Sequence, residues 1–280
     1  MPMTWCVTKS SRVVLLNYKM KKIHFTKMVA SGNDFIVIDQ KPRGNLHALA
    51  KALCHRKFGI GADGLLLLNK TKKSDLRMRI LNADGSEAEM CGNGARCAAL
   101  FRGRRKGKIL TPAGVINTAL SARLVKIQLT APKEIKLDFP LSVNGRLIKV
   151  NFMNTGVPHV VIFVNGIVNI NVESIGRSIR YHAKFAPGGT NVNFVEVKGN
   201  DLIHIRTYER GVEDETLACG TGSTAAALVF ALKNNLARMV KVKTQSGEIL
   251  KVYFKKDKNK FHDVWLQGSV KIVYKGEYYV

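Results

Sequence analysis

Cys91-Gly92-Asn93-Gly94-Ala95 and Cys219-Gly220-Thr221-Gly222-Ser223 are one pattern written twice in a single chain of 280 residues. The cysteines stand 128 residues apart, and each follows a glutamate, Glu87 or Glu215, by four positions. Working outward, Gly32 and Gly156 sit in two turns 124 residues apart, and Thr111-Pro112-Ala113-Gly114 precedes Thr244-Gln245-Ser246-Gly247 by 133. Chance supplies one such coincidence easily; four in the same order argue for a duplication.

The local patterns around these landmarks agree. From Lys22, IHFTKM alternates as a strand, SGND turns and FIVID reads as a second strand. Leu46, Leu49, Ala50, Leu53 and Cys54 then mark one face of a helix that should stop at Gly59. GLLLL and LRMRIL follow as strands, and a polar loop leads through Cys91 to a helix over Ala95–Arg102. From Leu147 the order repeats: LIKVNF, the turn NTGVPH, VVIFV, a helix over Glu173–His182, NVNFVEV, LIHIRTY, Cys219 and a helix over Ser223–Lys233. The expected fold is α+β, with two homologous halves, 21–128 and 129–267. Each half wraps a mostly antiparallel sheet around a central helix, and the active site lies in the cleft between them. A final strand over 268–280 is expected to return to the first half, and residues 1–20 form a leader outside the fold.

Composition narrows the class. Hydrophobic residues at 46% and charged ones at 23% are ordinary for a globular chain. The longest apolar run, Ala225–Leu232, falls far short of the roughly 20 residues a membrane helix needs. Five cysteines, Cys6, Cys54, Cys91, Cys97 and Cys219, are an odd number without the spacing of a disulfide framework or a zinc site. A reducing compartment, the cytoplasm, is expected, and the basic leader leaves organellar targeting open. The net charge of +25 invites a nucleic-acid reading. The basic residues are spread along the chain, however, and no zinc-finger spacing or RNP motif accompanies them. A basic solvated surface accounts for them, and neither nucleic acid nor membrane is an expected partner.

A helix N-terminus offers unpaired N–H donors and a partial positive charge, suited to a carboxylate. The same dipole should lower a thiol's pKa. Two thiols on opposite sides of one carbon suggest inversion of an amino-acid stereocentre: one sulfur removes the α-proton and the other delivers a proton to the opposite face. Donors aimed at the developing charge must stabilise the intermediate. No metal cluster or nucleotide loop is present in the sequence, since Gly59-Ile60-Gly61 lacks the rest of GxGxxG. No cofactor and no metal are therefore expected. Cys54, on an apolar helix face, and Cys97 read as packed core cysteines.

Asn82-Ala-Asp-Gly-Ser-Glu-Ala-Glu-Met-Cys91-Gly-Asn-Gly-Ala-Arg96 resembles the signature of the diaminopimelate epimerase family. Tyr208-Glu-Arg-Gly, Glu215-Thr-Leu-Ala-Cys219-Gly-Thr-Gly and Ser31-Gly-Asn-Asp-Phe35 resemble its other motifs, and the similarity runs from about Lys21 to Val280. The resemblance implies interconversion of LL- and meso-diaminopimelate in lysine biosynthesis, without a cofactor, by a homodimer. It implies Cys91 as proton acceptor and Cys219 as donor, with the roles exchanged in reverse. Gly92, Asn93, Gly220 and Thr221 match the groups at the helix mouths. Asn33, Asn82, Asn191, Glu209 and Arg210 match substrate contacts, with Arg210 suited to a distal carboxylate. His159 and Glu209 match positions that tune the thiols.

Two positions depart from many family members, which have Gln where Gly64 stands and Asn where Val157 stands. Reaction type is accordingly firmer than substrate. The alternatives are a two-thiol racemase of proline, hydroxyproline or glutamate and, in another class, a basic nucleic-acid-binding protein indifferent to Cys91. The related isomerase fold of phenazine biosynthesis lacks paired cysteines. Which thiol is deprotonated at rest is left open.

Overall fold

Strand alternation and helix punctuation set the architecture of the computed structural model, which describes residues 22–42, 44–72 and 74–279. The expected leader, with Cys6, lies outside those residues. The first half opens with a hairpin of β1 (Lys22–Ala30) and β2 (Asn33–Ile38), followed by α1 (Leu46–Cys54). Next, β3 (Gly64–Asn69) lies parallel to β2, and β4 (Leu76–Asn82) turns back antiparallel to β3. The short β5 (Glu87–Ala88) leads into α2 (Gly92–Arg102). β6 (Lys106–Thr111) then runs parallel to β4, and β7 (Gly114–Ser121) and β8 (Leu124–Gln128) complete a meander.

The second half repeats each of these pairings. It comprises β9 (Lys133–Val143), β10 (Arg146–Asn154), β11 (Pro158–Phe163), α3 (Val172–Arg180), β12 (Asn191–Val197) and β13 (Leu202–Glu209). These lead through β14 (Asp214–Thr216) to α4 (Gly220–Lys233), β15 (Met239–Lys243), β16 (Ile249–Asp257), β17 (Lys260–Ser269) and β18 (Lys271–Tyr279). Again the hairpin's second strand lies parallel to the strand after the helix, β11 with β12, and β13 lies parallel to β15. Even a side-chain pair recurs: Arg79–Glu87 at 2.7 Å across β4–β5 matches Arg206–Glu215 at 2.6 Å across β13–β14.

Three pairings bear on the join. β8 and β17 run antiparallel, so the last meander strands of the two halves are hydrogen-bonded to each other. β9 adds to β10, and β18 adds to β1. The fold is α+β, with two pseudo-symmetric halves, and we propose the division at residues 128/129 for the folded chain.

Packing explains the sequence composition. From Gly222 to Ala231 every residue of α4 is buried, and in α2 the buried run is Asn93–Ala99. A helix covered on all sides is apolar over most of its surface, and the alanines of α4 let strands approach closely. Both helices belong to one core with Met28, Leu66, Ile80, Ile127, Val161 and Leu266. β3 is buried on both faces because β2 and β4 flank it while helices cover it, hence GLLLL rather than an alternating strand.

Three helix bounds differ from the sequence expectation by three residues or more, while α3 is displaced by one residue at its start and two at its end. α1 ends at Cys54 rather than near Gly59, because His55 is extended and a turn returns the Gly59 N–H to the His55 carbonyl at 2.9 Å. α2 and α4 begin at Gly92 and Gly220, three residues before the expected starts. Glycine has a poor helix propensity, but each cysteine acts as N-cap and draws the Gly-x-Gly into the first turn.

Candidate active site

The N-cap position decides where the two sulfurs sit. Cys91 and Cys219 have extended backbones, with φ of −140° and −110°. The Gly94 N–H donates to Cys91 Sγ at 3.5 Å, and the Gly222 N–H to Cys219 Sγ at 3.4 Å. Oxygen-bearing side chains usually take this role; here sulfur does, in both halves. The hydrogen-bond ladder of each helix leaves the first-turn N–H groups without carbonyl partners. Those of Gly92, Asn93, Gly220 and Thr221 belong to the turns that the two sulfurs cap, and Thr221 Oγ1 lies 3.5 Å from Cys219 Sγ.

Each helix mouth also rests on the seam between the halves. A Cβ on Gly92 would meet the Ile127 side chain at 3.4 Å, and one on Gly220 would meet the Leu266 side chain at 3.0 Å. Ile127 and Leu266 are direct register partners in the β8–β17 pair. The helix mouths therefore bear on one paired position, and α2 and α4 touch. The thiols are near enough that charge on Cys91 raises the pKa of Cys219.

Helix dipoles alone predicted lowered thiol pKa values, and this expectation is corrected. Burial pushes both thiols up, Cys219 to about 12, and outweighs the N–H bonds at their sulfurs. The Glu209 carboxylate adds to the rise at both. Glu209 itself is raised by burial, against a 2.8 Å hydrogen bond from Thr216 Oγ1.

His159 is fully buried, and burial with the nearby Arg210 charge holds its ring at a pKa of about 3. It is neutral at physiological pH. Thr207 Oγ1 donates to Asn193 Oδ1, so the Asn193 amide nitrogen faces His159 Nδ1, 3.2 Å away, and donates to it. The ring proton then resides on Nε2, which has no protein partner. A buried unpaired donor costs about 1–3 kcal/mol, so this N–H is a group held ready for a partner.

The remaining predicted residues fall into separate clusters. Asn33 and Asn93 are joined, Asn93 Nδ2 donating to Asn33 Oδ1 at 2.6 Å. Asn191 Oδ1 accepts from the Arg210 N–H at 2.9 Å, and its amide donates to the Pro158 carbonyl. The Arg210 guanidinium reaches the Gly188 carbonyl at 3.2 Å. It borders a cavity of about 330 Å³ with Asn154, Lys136, Lys184 and Phe185, which neither cysteine lines. Asn82 is exposed, its amide donating to Ser86 Oγ at 2.9 Å.

Register explains the departure at Gly64. Phe35, Gly64 and Asn82 lie side by side across β2, β3 and β4. A Cβ at Gly64 would come within 3.1 Å of the Leu81 carbonyl and 3.5 Å of the Phe35 ring. The corresponding row of the second half begins His159, Asn191. Apolar packing thus fills the position in the first half that polar groups fill in the second.

Sequence reasoning missed several residues. Asn193, which fixes the His159 tautomer, could have been found two positions beyond Asn191 on the same strand face. Asp34 and Asp63 also escaped notice. Burial would raise Asp34, but Arg56 and Lys27 hold its pKa at about 2, while Asp63 Oδ2 accepts from the Asn33 amide at 3.2 Å. Their partners come from four separate segments, which no local spacing links.

Comparison with known proteins adds the family. The sequence model of the family described as diaminopimelate epimerase matches residues 25–133 and 151–273. The diaminopimelate epimerase of Aquifex aeolicus is 43% identical over 274 residues, covering 91% of this chain and 97% of that relative. That of Methanocella arvoryzae is 42% identical over 279 residues, covering 92% and 97%. Among solved structures, a phenazine biosynthesis protein of the PhzF family from Bacillus anthracis aligns with TM-score 0.73 at 18% identity, over 93% of this chain and all of that one. A probable proline racemase from Agrobacterium radiobacter aligns with TM-score 0.67 at 15% identity, over 91% and 92%. At such identities these two share the fold alone.

The two thiols share one nearby carboxylate, which generates a pH prediction. Negative charge on Glu209 disfavours either thiolate. Glu209→Gln keeps an acceptor for Thr216 and removes that charge. The pH profiles of iodoacetamide alkylation, read separately at Cys91 and Cys219 by peptide mass spectrometry, should both move to lower pH. Unchanged profiles would contradict the electrostatic account.

Proposed function

The chain belongs to the diaminopimelate epimerase family, and from that membership we infer that it interconverts LL-2,6-diaminopimelate and meso-diaminopimelate, as an isomerase of lysine biosynthesis. The observation that carries the mechanism is the seating of both cysteine-capped helix mouths on the paired residues Ile127 and Leu266. Cys91 thiolate takes the proton from the α-carbon, and the electron pair of the C–H bond remains on that carbon, spread into its carboxylate. Cys219 thiol delivers its proton to the opposite face and becomes the thiolate. One proton leaves, one arrives, and the stereocentre is inverted with no cofactor. The return reaction exchanges the roles.

An α-proton beside a carboxylate is very weakly acidic, so stabilising the carbanion is the main task. Gly92, Asn93, Gly220 and Thr221 offer N–H groups from two helix N-termini to that carboxylate, fixed before reaction begins. The unspent Nε2–H of His159 is one more donor, neutral throughout, and Glu209 sets the basicity of both sulfurs. Asn33, Asn82 and Asn191 hold the substrate's polar groups. Arg210 takes the distal carboxylate bidentately in place of its single bond to Gly188. A substrate with a second charged end fits this set better than proline does.

Two coarser points extend the reading. The described cysteines Cys54, Cys91, Cys97 and Cys219 are all free thiols, which suits a reducing cytoplasm, and no helix among the described residues is long and apolar enough to cross a membrane. We assign the protein as a homodimer, with β18 at the interface. That strand pairs with β1 on one side, while Ile272, Val273 and Tyr274 are each 44–46% exposed.

Light scattering on the purified chain should give twice 31.0 kDa, and a monomer at micromolar concentration would refute the dimer. For the chemistry, Cys91→Ala and Cys219→Ala should each lower turnover of LL-diaminopimelate by a factor on the order of 10²–10⁴ with the fold retained by circular dichroism. Proline, hydroxyproline and glutamate should not be racemised. Normal turnover by either variant would reject the two-base scheme, and turnover of proline or glutamate in place of diaminopimelate would reassign the substrate.

A further inference from the structure

One cation beside the site has no counterpart in the other half. Arg96 lies on α2, five residues beyond Cys91, and its side chain is fully buried. Its Nη2 donates to Ser31 Oγ at 2.6 Å and to Asn93 Oδ1. Its Nε and Nη1 are buried without a hydrogen-bond partner. The facing carboxylate, Glu248, stays 3.8 Å from Nη1. Its oxygens are engaged instead by Ser269 Oγ, at 2.7 Å, by the Ser269 N–H, and by Ser31 Oγ. Burial presses the guanidinium below its usual pKa, yet an arginine stays charged in proteins. A positive charge is therefore held in the core with most of its donors unspent.

The second half carries no such charge. Position 224, 128 residues beyond Arg96, is Thr224, whose hydroxyl donates to the Gly220 carbonyl of its own helix at 2.9 Å. Ser31 is likewise replaced by Thr155, which donates to the Thr221 carbonyl at 3.1 Å. Ser31 adopts φ of +52°, a left-handed backbone uncommon for serine, and there its hydroxyl bridges Arg96 and Glu248. Two helices with the same cap and the same Gly-x-Gly thus differ in one buried ion.

We propose that Arg96 makes the two thiols unequal, so that Cys91 gives up its proton more readily than Cys219. This deepens the reading of the pair as base and acid, and rests on it. The groups facing Cys91 are the Asn93 and Gly94 N–H donors and Arg96 from α2, Glu209 from β13 and Cys219 from α4. Burial raises both thiols first. At Cys91 the N–H donors and Arg96 oppose it and Glu209 adds to it; at Cys219 Glu209 is the largest influence after burial. An under-paired cation in a medium of low polarity acts strongly on a nearby anion.

Arg96 is a positioning residue in a second sense. It can only donate, so the Asn93 oxygen faces it and the Asn93 amide nitrogen turns to Asn33 Oδ1. The Asn33 amide nitrogen in turn faces Asp63 at 3.2 Å. The direction of each amide follows from one guanidinium.

Thiol ionisation in the substrate-free full chain tests this without turnover, from the pH profile of iodoacetamide alkylation resolved by peptide mass spectrometry. In the native protein Cys91 should react at lower pH than Cys219. Arg96→Gln should move the Cys91 profile to higher pH without moving Cys219 upward, whereas Arg96→Lys, which keeps the charge, should stay near the native profile. Glu248→Gln, which removes the facing anion, should move Cys91 to lower pH and serves where Arg96→Gln does not fold. The proposal is overturned if Cys219 reacts at the lower pH in the native chain, if Lys shifts Cys91 as far as Gln does, or if Glu248→Gln leaves Cys91 unmoved. Failure of the two-base scheme would appear instead as turnover by the single cysteine variants.

Discussion

A sulfur atom at a helix N-cap is a weak substitute for the oxygen of serine or aspartate, and this chain makes the substitution twice. Cys91 accepts the Gly94 N–H at 3.5 Å and Cys219 the Gly222 N–H at 3.4 Å. The cap fixes sulfur and free N–H donors in one rigid unit, since both belong to the same turn. The rest of the fold brings two such units together. The β8–β17 pairing does so by placing Ile127 opposite Leu266, one beneath each helix mouth.

Duplication supplies the symmetry, and the chemistry requires that it be broken. A carbon bearing four different groups cannot present the same contacts to both halves. Phe35 and Gly64 pair side by side across β2 and β3, whereas the second half sets His159 and Asn191 in the matching places. A Cβ at Gly64 would press on the Leu81 carbonyl at 3.1 Å. Charge is divided the opposite way, with Arg96 buried in the first half and an uncharged threonine in its place in the second. Burial of both thiols raises their pKa values above what helix dipoles alone would give. In the proposed reaction the same burial would keep water from the carbanion and strengthen each donor aimed at it.

The duplication, the strand order and the two cysteines were legible because they are written locally: a cysteine before Gly-x-Gly, alternation at period two, an alanine-rich run. The early helix starts were not, since glycine propensity argues against helix and only the sulfur caps override it. The network of Ser31, Arg96, Glu248 and Ser269 was also hidden. Its members are separated by up to 238 positions, and Arg96 looks in the sequence like any surface arginine of a basic chain. Asn193 was within reach of the strand pattern, but its role depends on the hydroxyl of Thr207 and the ring of His159, which only the β11–β12–β13 pairing brings together.

The claim on which the account turns is that two different sulfurs handle the two protons. Mass and stereochemistry of the α-carbon can be read together when LL-diaminopimelate is converted in heavy water and sampled early. Two bases on opposite faces predict meso product carrying one deuterium at the inverted carbon while the recovered LL substrate still carries protium. Deuterium entering the recovered LL substrate as fast as the product forms, or product retaining its original protium, would mean that a single group serves both faces.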